Sequence, residues 1–268
     1  MRRGAISTVM VALVGVVAGA LGMWVLGGGR AMRAHRAPTT HGEWIYLHKS
    51  PRDSIRAYVG YPERKDKAPA VVVIHEIFGL TDWEPTVVDR LAAAGYVAIV
   101  PDLLSSRFGM TPADPDSGRK LTALLDPDSV SAELNVAYQY LNGLPAVRRD
   151  QIGSIGFCWG GGRSFRYATA NPGLKAAVVC YGPAPDSTLM GNIRASVLGV
   201  YGEDDARITA ALPDVARQMK GAGARFAYDV YPGTGHGFLK PGRKGSDTDQ
   251  VEKAWARILG FYGEVLGR

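Results

Sequence analysis

The chain is predicted to be an α/β protein with a doubly wound, mostly parallel sheet, preceded by an N-terminal hydrophobic helix. Three observations lead there. From Glu43 onward, short apolar runs of strand length alternate with stretches of helical spacing, the pattern of a parallel sheet with crossover helices. One run, Ala70-Val71-Val72-Val73-Ile74, is unbroken, as a strand buried on both faces must be. Ahead of the domain, Gly4 to Gly29 is apolar and carries no charge, which is long enough to span a bilayer, for which roughly 20 residues suffice.

The elements follow in order. Glu43 to His48 and Ser54 to Tyr61, joined by Ser50-Pro51-Arg52-Asp53, suggest an opening hairpin. The central strand at Ala70 to Ile74 precedes a helix from Trp83 to Ala94 and a strand from Gly95 to Val100. Leu103 to Asp128, rich in Ser, Pro, Asp and Gly, reads as irregular chain lying over the site, and Ser129 to Asn142 as an amphipathic helix. Strands at Gln151 to Ile155, Ala176 to Cys180, Ala195 to Tyr201 and Phe226 to Tyr231 alternate with helices at Gly161 to Ala168, Ala206 to Gly221 and Asp247 to Leu266.

The 268 residues thus divide into a transmembrane anchor or signal segment (1–30), a polar linker (31–42) and one large domain (43–268). Five arginines, Arg2, Arg3, Arg30, Arg33 and Arg36, account for most of the net charge of +6; without them 26 basic residues face 25 acidic ones. A nearly neutral domain gives no support to nucleic-acid binding. Ala18-Gly19-Ala20 offers a small-residue cleavage site, but the apolar run continues past it, which favours an uncleaved anchor. The domain is expected to be anchored to the membrane by its N-terminus or exported, on the periplasmic or extracytoplasmic side. Positive charges at both ends of the run leave its orientation open.

Gly156-Phe157-Cys158-Trp159-Gly160 has the glycine frame of a nucleophile elbow, in which a strand turns sharply into a helix and exposes the middle side chain; here that side chain is a thiol. A small buried cysteine is the alternative reading. Downstream, in the order an α/β-hydrolase fold requires, one apolar strand ends in Gly202-Glu203-Asp204-Asp205 and the next runs into Pro232-Gly233-Thr234-Gly235-His236-Gly237-Phe238. An acid and a histidine therefore follow the elbow at strand ends, and Cys158 and His236 become candidate catalytic residues.

Together with His75-Glu76-Ile77-Phe78-Gly79-Leu80 and Pro101-Asp102-Leu103, these motifs resemble the dienelactone hydrolase family over about residues 43 to 268. The resemblance implies an α/β-hydrolase that cleaves a small ester or lactone with a Cys-Asp-His triad and no cofactor or metal. By position the triad is Cys158, Asp204 and His236; the Gly-x-Asp spacing selects Asp204, and Asp205 is the neighbouring alternative. A glutamate matching Glu76 takes part in controlling the thiol. Backbone N–H groups of Ile77 and Trp159 would form the oxyanion hole of a thioester-forming mechanism. His75-Glu76 lacks the second histidine at position 79 that a zinc site of that type needs.

The family binds a substrate carboxylate with two arginines. Here the first has only an offset counterpart, Arg107, and the second position is Lys240, which lacks a guanidinium's bidentate fork. Tyr181 matches a further family position near the site. These three are the candidate substrate-binding residues, each with a plain structural role as its alternative. Cys180 reads as a buried strand-end residue, since a bridge to Cys158 would disable the nucleophile. Another acyl-transfer enzyme on the same triad, such as a peptidase or acyltransferase, and a non-catalytic binding protein of the same fold are the other functions compatible with these motifs. The oligomeric state has no readable signal.

Overall fold

A computed structural model describes residues 40–50 and 53–267. The expected N-terminal apolar segment and most of the linker lie outside these residues. Among the described residues, no helix is long and apolar enough to cross a membrane. The first strand begins at Thr40, three residues before the expected domain boundary.

Eight strands form one sheet: β1 (Thr40–Ser50), β2 (Asp53–Pro62), β3 (Ala68–Ile74), β4 (Val97–Pro101), β5 (Val147–Phe157), β6 (Ala176–Cys180), β7 (Ser196–Gly202) and β8 (Phe226–Tyr231). Their spatial order is β1-β2-β4-β3-β5-β6-β7-β8. The β1–β2 and β2–β4 pairs are antiparallel; every pair from β4 to β8 is parallel. The hydrophobic pattern explains the placement. β3, β4, β6 and β7 are buried along their whole length, as strands covered on both faces must be, whereas edge strands β1 and β8 are mostly exposed or half-buried.

The helices are α1 (Trp83–Ala93), α2 (Ser105–Phe108), α3 (Pro115–Thr122), α4 (Pro127–Gly143), α5 (Trp159–Ala170), α6 (Ala206–Thr209), α7 (Leu212–Gly221) and α8 (Gln250–Leu266). α1 and α8 meet on one face of the sheet, where the Arg90 guanidinium lies 4.6 Å from the Trp255 ring centre and 2.6 Å from Glu252. α4 and α5 pack together against the strands of the other face.

Two sequence expectations need correction. The segment from Leu103 to Asp128 is not irregular throughout: α3 starts at Pro115 behind the Asp114 cap, and α4 starts at Pro127 behind the Asp126 cap. Asp114 accepts the Ser117 N–H and Asp126 those of Asp128 and Ser129, and in each helix a proline occupies a position that needs no donor. The helix expected over Ala206 to Gly221 is interrupted, because Pro213 starts a fresh helix, α7, after a break at Ala210 and Ala211.

β3 connects onward to β4 on one side and β5 lies on its other side, so the chain reverses direction across the sheet between β3 and β5. The carboxyl ends of strands flanking such a reversal form a natural crevice in a parallel sheet. Glu76 follows β3, Cys158 follows β5, Tyr181 follows β6, Asp205 follows β7 and His236 lies in the loop after β8. All five sit at that end.

Candidate active site

The elbow is built by close backbone approach. A Cβ on Gly156 would stand 1.9 Å from the Gly160 carbonyl oxygen, and one on Gly160 would stand 2.3 Å from that of His75, so only hydrogen fits at either position. The turn forces Cys158 to φ 57°, ψ −115°, a conformation that costs a non-glycine residue about 1–3 kcal/mol. Its N–H is held by the Cys180 carbonyl at 3.0 Å.

Four groups act on the half-buried Cys158 thiol. Burial pushes its pKa up, and the Glu76 carboxylate pushes in the same direction. The backbone N–H groups of Trp159 and Ile77 and the Arg207 guanidinium pull it down, and the balance lies above the ordinary thiol value. The two N–H groups expected to form an oxyanion hole therefore converge on the sulfur. Arg207 was not singled out from sequence; its spacing two residues beyond Asp205, on the first turn of α6, is the signal that could have found it.

The carboxylate that contacts His236 is that of Asp205, the neighbouring alternative, and not that of Asp204. His236 Nδ1 lies 2.5 Å from Asp205 Oδ2, and Asp205 is only 6% exposed. Asp204 instead turns outward to Lys244 at 2.7 Å, with 43% of its side chain exposed. The backbone decides this. Asp204 N donates to the Thr234 carbonyl and Asp205 N to that of Gly202, so the tight turn after β7 presents the second carboxylate to the histidine loop and the first to solvent. The Gly-x-Asp spacing misses that register. The outer oxygen of Asp205 is 4.0 Å from Arg207 Nη2.

Glu76 is 3% exposed, and its Oε2 lies 2.8 Å from Lys240 Nζ. Lys240, expected as a free cation for a substrate carboxylate, is thus committed to Glu76 and sits 5.0 Å from the Trp83 ring centre. Arg107, on α2, is also placed otherwise than expected: its guanidinium donates to the Leu124 carbonyl at 3.1 Å and lies over the Phe108 ring, within its own loop region. Tyr181 is fully buried at φ 42°, edge-on to the His236 ring with centroids 5.1 Å apart. Its side chain is thus packed against the histidine ring and not exposed at the surface. Cys180 is buried and both cysteines are free thiols.

The loop that carries Glu76 and Ile77 is clamped from two sides. Glu84, fully buried at the start of α1, accepts from Thr81 N at 2.8 Å, Thr81 Oγ1 at 2.6 Å and Glu76 N at 3.4 Å. On the other side Leu80 N donates to Thr111 Oγ1 at 2.9 Å, and Thr111 Oγ1 donates to the buried Asp102 carboxylate at 2.7 Å. The Asp102 of the Pro-Asp-Leu motif thus reaches the Glu76–Leu80 loop through Thr111. Among the described residues no group of three or more His, Cys, Asp or Glu side chains is arranged to hold a metal ion.

Comparison with known proteins agrees with this architecture. The model of the Dienelactone hydrolase family matches residues 55–266. A Salmonella typhimurium protein named "Putative carboxymethylenebutenolidase" is 33% identical over 237 residues, spanning 81% of this chain and 85% of its own length. Its namesake in Escherichia coli K12 is 32% identical over the same shares to within a point. Among solved structures, a "Putative Dienelactone Hydrolase" from Klebsiella pneumoniae superposes with a TM-score of 0.75 at 26% identity, over 84% of this chain and 99% of that one. The dienelactone hydrolase-like phosphotriesterase P91 from metagenomic libraries shares the fold at a TM-score of 0.73 and 20% identity, over 85% and 99% of the two chains. The chain is a carboxylic ester hydrolase belonging to the dienelactone hydrolase family.

Proposed function

We propose that the protein hydrolyses a small ester or lactone through a thioester on Cys158, with His236 as the proton carrier and Asp205 as the group that orients it. The observation that carries this reading is the 2.5 Å contact between His236 Nδ1 and buried Asp205, at the same sheet end as a cysteine held in a strained elbow. A carboxylate on Nδ1 fixes the ring tautomer and leaves Nε2 as the base.

The steps follow from these groups. His236 Nε2 takes the Cys158 proton as the sulfur attacks the acyl carbon, and Asp205 stabilises the resulting imidazolium. The carbonyl oxygen becomes an oxyanion at the N–H groups of Ile77 and Trp159, donors whose loss in comparable sites costs about 3–4 kcal/mol. The C–O bond breaks, the imidazolium protonates the departing alkoxide, and a thioester remains. A water deprotonated by His236 then attacks the thioester, releasing the acid and restoring the thiol. Burial and Glu76 hold the resting sulfur protonated, which limits its reaction with other electrophiles before substrate arrives.

Cys158→Ala is expected to abolish hydrolysis of p-nitrophenyl acetate while leaving the circular-dichroism spectrum unchanged; retained turnover would sink the proposal. The apolar run from Gly4 to Gly29 supports a further proposal, that the enzyme is held at a membrane by its N-terminus. Release of the full chain by alkaline carbonate, without detergent, would count against it.

A further inference from the structure

Beside the elbow, a cavity of about 230 Å³ lies between α5, the start of α4 and the chain that follows β6. Its walls are the Trp159 ring and the apolar faces of Pro127, Pro183 and Pro185, and two guanidinium groups, Arg163 and Arg166, open onto it. The volume is below the roughly 300–1,000 Å³ usual for small-molecule sites, so any occupant is small.

The two arginines differ in how they are satisfied. Arg166 is 2.5 Å from Asp128. Arg163, one helical turn beyond Trp159, is half-buried with its guanidinium 4.8 Å from that ring's centre, and it makes no hydrogen bond or ion pair among the described residues. Burial and the neighbouring Arg166 both disfavour its charge, while Asp126 favours it. Asp126 is already occupied as the α4 cap, accepting from Asp128 N and Ser129 N at 3.0 and 2.9 Å. A half-buried guanidinium with no protein acceptor, facing a tryptophan and three prolines, keeps its planar fork available to an anion.

Because the Trp159 ring is stacked on His75 on one face and covered by Arg163 on the other, its edge is what it offers the cavity, and we propose that the cavity binds a small carboxylic acid with a flat apolar body, its carboxylate on Arg163 and its ring among Pro127, Pro183 and Pro185. A carboxylate matches the planar fork of a guanidinium and brings a single charge to a single uncommitted cation. A phosphate would bring about two charges and no apolar surface to a site half of whose lining is proline and tryptophan and whose Arg163 and Arg166 have Asp126 and Asp128 nearby. Cys158, His236, Asp205 and Glu76 are not among the residues that line it, and Trp159 connects it to the site: its side chain lines the cavity and its backbone N–H bears on the Cys158 sulfur.

The test titrates benzoate into the full chain and into Cys158→Ala, followed by calorimetry and by the indole N–H resonance of Trp159. Saturable binding of equal affinity to both proteins, with that resonance moving, is expected, which separates the site from the thioester chemistry. Arg163→Met should weaken benzoate roughly ten- to a hundredfold, the worth of a charge-assisted hydrogen bond, and uncharged benzamide should bind wild type as weakly. If Arg163→Met lowers the melting temperature, Arg163→Gln serves instead. Equal binding of benzoate and benzamide, unchanged affinity in the Arg163 variant, tighter binding of inorganic phosphate than of benzoate, loss of binding in Arg207→Met instead, or no saturable binding would each overturn the proposal.

Discussion

Asp205 Oδ2 sits 2.5 Å from His236 Nδ1, while the side chain of Asp204, one residue earlier, reaches Lys244 on the outside of the same turn. Adjacent carboxylates in one tight turn thus have opposite fates, and substitution separates them. Asp205→Asn removes the acceptor that fixes the His236 tautomer and is expected to lower kcat by on the order of 10²–10⁴, with KM little changed. Asp204→Asn breaks only an exposed ion pair and should leave kcat within about twofold. Steady-state kinetics on one activated ester decides it; the reverse ranking would return the role to Asp204.

Thiol ionisation gives a second check, because the charges around Cys158 act in known directions. Glu76 raises its pKa and Arg207 lowers it. Glu76→Gln should therefore move the midpoint of thiolate formation down, the more so because Lys240 loses its partner carboxylate. Arg207→Met should move it up. The pH dependence of alkylation by iodoacetamide reads both, and Cys180, fully buried with its own ionisation pushed well up, does not obscure the result. Shifts of the same sign in both variants would contradict the placement of these charges.

Thr111 connects a buried carboxylate to the Glu76–Leu80 loop, accepting from Leu80 N and donating to Asp102. Thr111→Val keeps the shape but strands Leu80 N and leaves Asp102 with only its two backbone donors, Leu104 N and Thr111 N, so a loss of about 1–3 kcal/mol is expected in urea unfolding. The loop carries the Ile77 donor, so kcat should fall while KM changes little, the pattern of an interaction made in the transition state. A variant with lower stability and unchanged kcat would show that the clamp serves the fold alone.

The sheet was legible because its signals are local: unbroken apolar runs mark β3, β4, β6 and β7, and the elbow glycines mark the turn after β5. What escaped was set by geometry between distant segments. Whether Asp204 or Asp205 faces His236 depends on which backbone N–H of the turn meets Thr234 and which meets Gly202. The commitment of Lys240 to Glu76 joins residues 164 positions apart, and Arg107 is captured by a carbonyl at Leu124 that motif spacing does not reveal. Arg207 looked like an ordinary helix residue, and only the short α6 that follows Asp205 aims it at the site.

Alkaline stability tests how completely the core excludes water beneath the site. Burial pushes the ionisation of Cys180, Tyr181 and Tyr262 well above its ordinary range and that of Cys158 upward. Above about pH 8.5 for thiols and pH 10 for phenols, the unfolded chain releases protons that the folded chain retains. The folded state then binds more protons than the unfolded state, so stability must decline as pH rises. Its contribution is fully present below about pH 8.5, is lost first through the thiols and falls more steeply once the tyrosines titrate. Cys180→Ala removes one thiol and should flatten the first part of that decline without changing the second, as read by urea midpoints across the alkaline range. A melting temperature independent of pH there would mean that these groups reach solvent in the folded state, against the burial of Tyr181 beneath His236.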